Sequence, residues 1–271
     1  MRPRSLFGQH HVLTAAVRRR LAECRRIVLL LDFDGTLAPI RNLPAQAEMP
    51  AKTAVLLRQL ANRPNITVGL VTGRSRQDIL KKVRMPALLL ITNHGFEISW
   101  GQLRWIHQGA QKARPLLKTL ARRLTTTLGD IPGILIEDKQ YSLSVHYRNV
   151  PVVYIPSVRE TVLQLLNQCD GNLRLTHGKK VLELRPRALW NKGYAVKRVL
   201  ASLPQARSTL VIYAGDDVTD EDVFTVLGRR HVTITVGRRQ SAGASYRARN
   251  PQEVTQLMEI INSLVIESRQ R

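Results

Sequence analysis

The chain has little cysteine, few aromatic residues, a shortage of acids and no long apolar run, and each shortage closes off a class of protein. Its two cysteines, Cys24 and Cys169, stand in no metal-ligand spacing, so neither a disulfide framework nor a zinc site is suggested. No stretch reaches the roughly 18 uncharged apolar residues that a membrane-spanning helix needs, and the start of the chain lacks the apolar core of a secretion signal. A soluble, cytoplasmic protein without a membrane partner is therefore expected. Aromatics make up 5% of the residues and are not interleaved with any Lys/Arg block, and no helix-turn-helix, zinc-finger or RNA-binding signature is present.

The acid shortage is the compositional extreme: 20 Asp and Glu face 42 Lys and Arg, a formal net charge of +22. Such a charge raises the question of a polyanionic partner. Its distribution speaks against one. Residues 1–26 carry seven arginines against one glutamate, and Arg229, Arg230, Arg238, Arg239, Arg247 and Arg249 crowd the C-terminal part, so the excess is dispersed. Nucleic acid is not expected as a partner despite the charge. The leading segment, 1–26, reads as an amphipathic helix, although an Arg-rich, acid-poor start also mimics an organelle transit peptide.

With 271 residues and 44% hydrophobic content, the chain can bury one large core or two modest ones. Short β-branched or leucine-rich runs bounded by turn residues recur at Ile27–Leu31, Ile66–Val71, Leu88–Ile91, Leu210–Ala214 and Val232–Val236, the pattern of strands buried on both faces. Helical patterns lie between them: Ala51–Ala61, with Ala54, Val55, Leu57 and Leu60 at helical spacing, then Lys192–Ala201, Thr219–Leu227 and Glu253–Val265. Strand then helix, repeated, predicts an α/β fold with a covered parallel sheet. The middle of the chain differs. A basic helix over 109–128, paired strands at Ile134–Glu137 and Tyr141–Tyr147, a helix near Ser157–Leu166, and strands at Leu173–Thr176 and Val181–Arg185 predict a self-contained α+β insert. The expected division is 1–26, 27–106, an insert over 107–183, and 184–271.

Four segments carry chemistry. The strand Leu29-Leu30-Leu31 delivers Asp32-Phe33-Asp34 at its carboxyl end and turns at Gly35, where open α/β sheets bind ligands. In extended backbone the two carboxylates share one face, so one can attack while the other handles protons, and a cation would relieve their repulsion. After the next strand, Thr72 offers a hydroxyl and Gly73 lets the backbone of Val71-Thr72-Gly73-Arg74 approach an anion. Trp190-Asn191-Lys192-Gly193 opens a helix with a lysine that can neutralise a phosphate and keep a carboxylate ionised. Last, Gly215-Asp216-Asp217-Val218-Thr219-Asp220-Glu221-Asp222 packs five acids into seven positions, the density of a hard-cation site.

These segments, in this order, resemble the four motifs of the haloacid-dehalogenase superfamily of phosphohydrolases. Asn93-His94-Gly95-Phe96-Glu97, His146-Tyr147-Arg148, Gly178 to Pro186 and Gly215 to Asp222 are further similar to the trehalose-phosphate phosphatase family. The resemblance implies a Rossmann-like parallel-sheet core with an inserted α+β cap. It implies magnesium-dependent hydrolysis of trehalose 6-phosphate, with Asp32 as nucleophile, Asp34 as acid and base, and Thr72 and Lys192 on the phosphoryl oxygens; separately, a monomer is expected. Asp32, the Asp34 carbonyl, Asp216 and Asp220 would serve Mg2+. Gly73, Arg74, Asn93, His94 and Asn191 would contact substrate from the core, joined by Arg185, while Arg148, Lys179, Lys180 and Glu183 of the cap would bind sugar hydroxyls. Two other readings stay open: a phosphatase of sucrose 6-phosphate or mannosyl-phosphoglycerate type, and a non-catalytic anion- or RNA-binding module. Neither segment 1–26 nor the arginine excess belongs to the family pattern.

Overall fold

Apolar runs without alternation cannot present a polar face to water, so they settle where both faces are covered. In the computed structural model, which describes residues 3–8, 12–169, 171–203 and 208–267, they do so in two units, one made of residues 1–104 with 190–271 and the other of residues 105–189.

The strands in chain order are β1 (Arg4–Ser5), β2 (Arg26–Leu31), β3 (Ile66–Val71), β4 (Leu89–Thr92), β5 (Glu97–Trp100), β6 (Leu103–Ile106), β7 (Leu135–Asp138), β8 (Leu143–His146), β9 (Leu173–Gly178), β10 (Val181–Pro186), β11 (Thr209–Gly215), β12 (Val232–Val236) and β13 (Tyr246–Ala248). The helices are α1 (Ala15–Glu23), α2 (Ala51–Ala61), α3 (Arg76–Val83), α4 (Gln108–Leu128), α5 (Ile155–Asn167), α6 (Lys192–Ser202), α7 (Glu221–Leu227) and α8 (Pro251–Glu267).

The first unit is built on a sheet in the order β1-β13-β12-β11-β2-β3-β4-β5-β6. Every pairing from β1 to β4 is parallel, and β5 turns back antiparallel on β4. The mixed α/β fold with a parallel core is thus the one expected. One sheet face carries Leu29, Leu31, Leu70 and Ile212 against α2 and α8, the other Leu30, Val211 and Tyr213 against α6 and α7. Each buried leucine contributes roughly 1.5–3 kcal/mol of hydrophobic stabilisation.

Three local expectations need correction. The leading segment is helical only over Ala15–Glu23; Arg4–Ser5 adds a parallel edge strand beside Tyr246 and Arg247, and residues 1, 2 and 9–11 lie outside the described residues. Helix α2 buries Thr53, Leu56, Leu57 and Leu60, while Val55 is exposed, because the i, i+3, i+4, i+7 stripe starts one residue before the one counted from Ala54. The break expected at residue 183 would cut β10, which pairs with β9 through Pro186 opposite Leu173, so Arg185 belongs to the second unit rather than to the core.

That second unit is a four-stranded antiparallel sheet, β7-β8-β10-β9, with α4 and α5. Its register sorts residues by face. Ile136, Val145 and Leu182 stand opposite one another and join the core formed with Leu117, Leu120 and Leu124 of α4 and Val158 and Val162 of α5. One residue along, Glu137, Ser144, Glu183 and Thr176 form a polar row across all four strands, on the other face.

Part of the arginine excess serves the fold. Arg20 donates to the carbonyls of Arg229 at 3.0 Å and His231 at 3.1 Å, tying α1 to the turn before β12, and Arg247 donates to the Arg239 carbonyl at 3.1 Å. Near the site, α6 and α7 approach so closely at Gly193 that a Cβ there would lie 2.4 Å from the Asp222 carbonyl oxygen. Because backbone cannot yield as a side chain does, Gly193→Ala is expected to cost about 1–3 kcal/mol in urea unfolding.

Candidate functional site

Strands β11, β2 and β3 are neighbours, and their register sets Ala214 beside Leu31 and Leu31 beside Leu70. The three carboxyl ends therefore open at one level, and the residues that follow them, Asp216, Asp32 and Thr72, are brought together by hydrogen-bonded backbone. The Asp32 amide donates to the Ala214 carbonyl at 2.9 Å and the Thr72 amide to that of Ile91 at 2.8 Å. Gly35, at φ +75°, makes the sharp turn; a Cβ there would lie 2.3 Å from Asp216 Oδ2.

Lys192 reaches this point from the first turn of α6, with only 2% of its side chain exposed. Its Nζ lies 2.8 Å from Asp220 Oδ1 and 3.4 Å from Asp32 Oδ1. Burial lowers the proton affinity of the ammonium, but Asp220 and Asp32 outweigh it and hold Lys192 above the usual lysine range, so it stays charged. Burial pushes Asp32 well above the ordinary carboxylate range; Lys192 opposes this, and Asp220, Asp216 and Asp34 reinforce it. A cation here would reverse the balance and favour the ionised form.

The residues fit one. Oxygens of Asp32, Asp216 and Asp220, all buried, lie within 4.8 Å of one another, a set of hard donors suited to a divalent metal. Asp220 is the most heavily engaged of the three: Oδ1 accepts from Lys192 and from the Tyr213 hydroxyl at 2.6 Å, and Oδ2 accepts from the Asp217 amide at 2.9 Å.

Arg74, Asn191 and Thr72, all expected at the site, have protein partners in this structure. Arg74 turns its guanidinium to protein, with Nε and one terminal nitrogen each 2.6 Å from an oxygen of Asp34, the other terminal nitrogen bonded to Asp78, and a further bond to the Pro44 carbonyl at 2.8 Å. Burial pulls its proton affinity down, yet these carboxylates hold it above the arginine range. Asn191 caps α6, its side-chain oxygen accepting from the Tyr194 amide at 2.9 Å. The Thr72 hydroxyl accepts from the Arg74 amide at 3.1 Å, and Gly73 lies against the His94 ring.

Asn93 and His94 both adopt left-handed backbone, φ 50° and 57°, a conformation uncommon outside glycine and found at strained functional turns. The turn is held from several sides. The Asn93 amide donates to the Arg74 carbonyl at 2.8 Å, the His94 amide to that of Thr72 at 3.1 Å, and Trp190 Nε1 to that of Gly95 at 2.8 Å. Buried Glu97, paired with Arg104 at 2.7 Å, accepts from Thr92.

In the second unit, Arg148, Lys179 and Lys180 gather at one end of the sheet. Arg148 donates to the Lys179 carbonyl at 2.8 Å, and all three side chains are exposed. Glu183 and Arg185 are buried and paired with each other on β10. Glu183 Oε1 also accepts from Lys139 Nζ and Ser144 Oγ, each at 3.1 Å. Lys139 and Ser144 escape notice in the sequence because they sit in a turn and at an alternate strand position; the only signal was a polar residue facing another across the ladder.

The trehalose-phosphatase family model matches residues 30–254. The chain belongs to this family. Among its relatives, a trehalose-phosphate phosphatase of Mycobacterium marinum is 36% identical over 214 residues, 78% of this chain and 54% of that protein. Trehalose 6-phosphate phosphatase RA3 of Zea mays is 34% identical over 272 residues, 94% of this chain and 73% of that one. The chain thus spans only about half the length of the mycobacterial relative. Two solved structures share the fold: a trehalose-6-phosphate phosphatase related protein (TM-score 0.79, 24% identity, 89% of this chain and 99% of that one) and the C-terminal domain of C. albicans trehalose-6-phosphate phosphatase (TM-score 0.75, 23% identity, 97% and 98%).

Two outcomes follow from this family site. Gly35→Ala places a methyl group against the Asp216 carboxylate and is expected to weaken any divalent-cation binding at this cluster more than tenfold by calorimetry, with the circular dichroism spectrum unchanged. Lys139→Met removes one donor from buried Glu183 and is expected to destabilise the protein by about 1–3 kcal/mol. Burial lowers the Lys139 value, but Glu183 and Glu137 raise it above the unfolded one. The contribution is therefore full below about pH 10.4 and is lost as pH rises through the folded value, which urea unfolding between pH 7 and 11 would show as a shrinking difference.

Proposed function

We propose that the protein hydrolyses trehalose 6-phosphate to trehalose and inorganic phosphate, with Asp32 as nucleophile and magnesium as the cation. The observation that carries this reading is the buried meeting of Asp32, Asp216 and Lys192 in a chain of the trehalose-phosphatase family. Asp32 Oδ attacks phosphorus as the bond to the sugar oxygen breaks, giving an aspartyl-phosphate. Asp34 gives the departing oxygen its proton and then takes one from the water that cleaves the acyl phosphate, returning Asp32 as carboxylate. Thr72 and Lys192 hold the phosphoryl oxygens and balance charge that spreads over them in the transition state.

Asp32 and Asp216, with the Asp34 carbonyl, would hold magnesium, and the bound ion would supply electrostatic neutralisation of phosphoryl and carboxylate oxygens. Asp220 serves chiefly to hold Lys192. Arg74 holds the Asp34 side chain by two parallel hydrogen bonds, one to each oxygen, a pairing that parts before Asp34 carries the proton it gives to the leaving oxygen. Arg148, Lys179, Lys180, Glu183 and Arg185 are assigned to sugar recognition, as are Asn93 and His94, by their likeness to the family pattern and by the polar groups they offer to hydroxyls.

The protein is further proposed to act in the cytoplasm as a monomer on this small molecule, without a nucleic-acid partner. Among the described residues no helix is long and apolar enough to cross a membrane. The reading is tested by phosphate release from trehalose 6-phosphate and sucrose 6-phosphate with and without Mg2+. Release from the trehalose ester alone, dependent on Mg2+ and reduced at least a thousandfold in Asp32→Asn, is expected. Turnover of the sucrose ester alone would reassign the substrate, and an active Asp32→Asn would remove the mechanism.

A further inference from the structure

One polar group at the buried end of the site has no part in the steps above. Tyr213 lies on β11, three residues before Asp216, and is fully buried. Its ring meets Phe224 of α7 edge-on at 5.7 Å and packs among Val196, Val199 and Val223. A buried phenol needs a partner, and this one has a charged partner: its hydroxyl is 2.6 Å from Asp220 Oδ1, the oxygen that also takes Lys192 Nζ at 2.8 Å. We propose that Tyr213 is a positioning residue for catalysis, which by fixing the Asp220 carboxylate aims the Lys192 ammonium at Asp32.

Lys192 stands between two carboxylates and is nearer to Asp220 than to Asp32. A lysine is a point charge on a flexible stem, so its position is set by whichever anion holds it harder. The phenol donates to Asp220 Oδ1 and shares that oxygen's charge, which tempers the pull on Lys192 and leaves the ammonium within 3.4 Å of Asp32. On the other oxygen the Asp217 amide donates at 2.9 Å, and the carboxylate lies so close to Gly215 that a Cβ there would be 2.3 Å from it. The carboxylate is thereby pinned from the strand, from the following turn and from α6. Without the phenol, Oδ1 of buried Asp220 keeps Lys192 as its neutralising donor, and the ammonium is drawn away from the phosphoryl group.

The inference rests on the reading of Lys192 as a phosphoryl ligand. Its test compares Tyr213→Phe, which removes one oxygen, with Phe224→Leu, which removes the ring contact and keeps the phenol. For Tyr213→Phe, kcat on trehalose 6-phosphate is expected to fall about tenfold, and inhibition by orthovanadate, a pentacoordinate-phosphorus mimic, to weaken by a similar factor, while KM and the Mg2+ midpoint stay within twofold. Phe224→Leu is expected to lower the Tm and leave kcat and vanadate inhibition unchanged. Wild-type kcat and vanadate inhibition in Tyr213→Phe would overturn the proposal, as would an equal loss in Phe224→Leu, which would make the effect one of packing. A kcat restored by excess Mg2+ would also overturn it, since Asp220 would then act on the cation. If Asp32→Asn is inactive while Tyr213→Phe is normal, this inference alone fails; if Asp32→Asn is active, the underlying mechanism fails first.

Discussion

Three buried carboxylates within 4.8 Å of one another, two just past the ends of parallel strands and Asp220 in the turn that leads into α7, repel each other, and the site is organised around that repulsion. Burial first, and this repulsion with it, raises the proton affinity of Asp32, and both favour a positive charge at the same point. Lys192 answers part of the demand from inside the fold, and a divalent cation bound there would answer the rest. Folding pushes these groups together because β2, β3 and β11 must pair in register to bury their leucines. The hydrophobic effect thus supplies the force that holds like charges side by side, and stability is given up for reactivity at this one place.

What was readable from the chain alone follows from how each feature is encoded. Asp32, Asp34, Thr72 and Asp216 lie within two or three residues of a strand end, so a strand pattern and a nearby acid suffice to find them. Arg74 and Asn191 were found without their protein partners, because Arg74 meets Asp34 forty residues away and Asn191 meets the backbone of its own helix. Lys139 and Ser144 were invisible for a different reason. Their importance lies in meeting Glu183, Ser144 across the ladder and Lys139 from the turn after β7, and no periodicity within one strand reports the register of its neighbour. The edge strand at Arg4–Ser5 was likewise hidden, being too short to show alternation.

The basic composition also takes a more local meaning. Arg20 and Arg247 hold turns through carbonyls, Arg239 pairs with Glu221 at 2.9 Å and Arg104 with Glu97. With so few acids, an arginine near a turn most readily finds backbone oxygens, each a stronger acceptor for a charged donor than for a neutral one. Charge excess at the level of the whole chain therefore coexists with arginines that are structurally committed one by one.

The polar row Glu137, Ser144, Glu183 and Thr176 runs across the same strands that carry Ile136, Val145 and Leu182 on their other face. Odd and even positions of one short sequence hence answer to separate selective pressures. Substitutions along the polar row can change the chemistry of that face while the helices beneath keep the same footing. In a sheet of this kind the polar face can be rewritten residue by residue at alternate positions while the packing face keeps its hold on the helices.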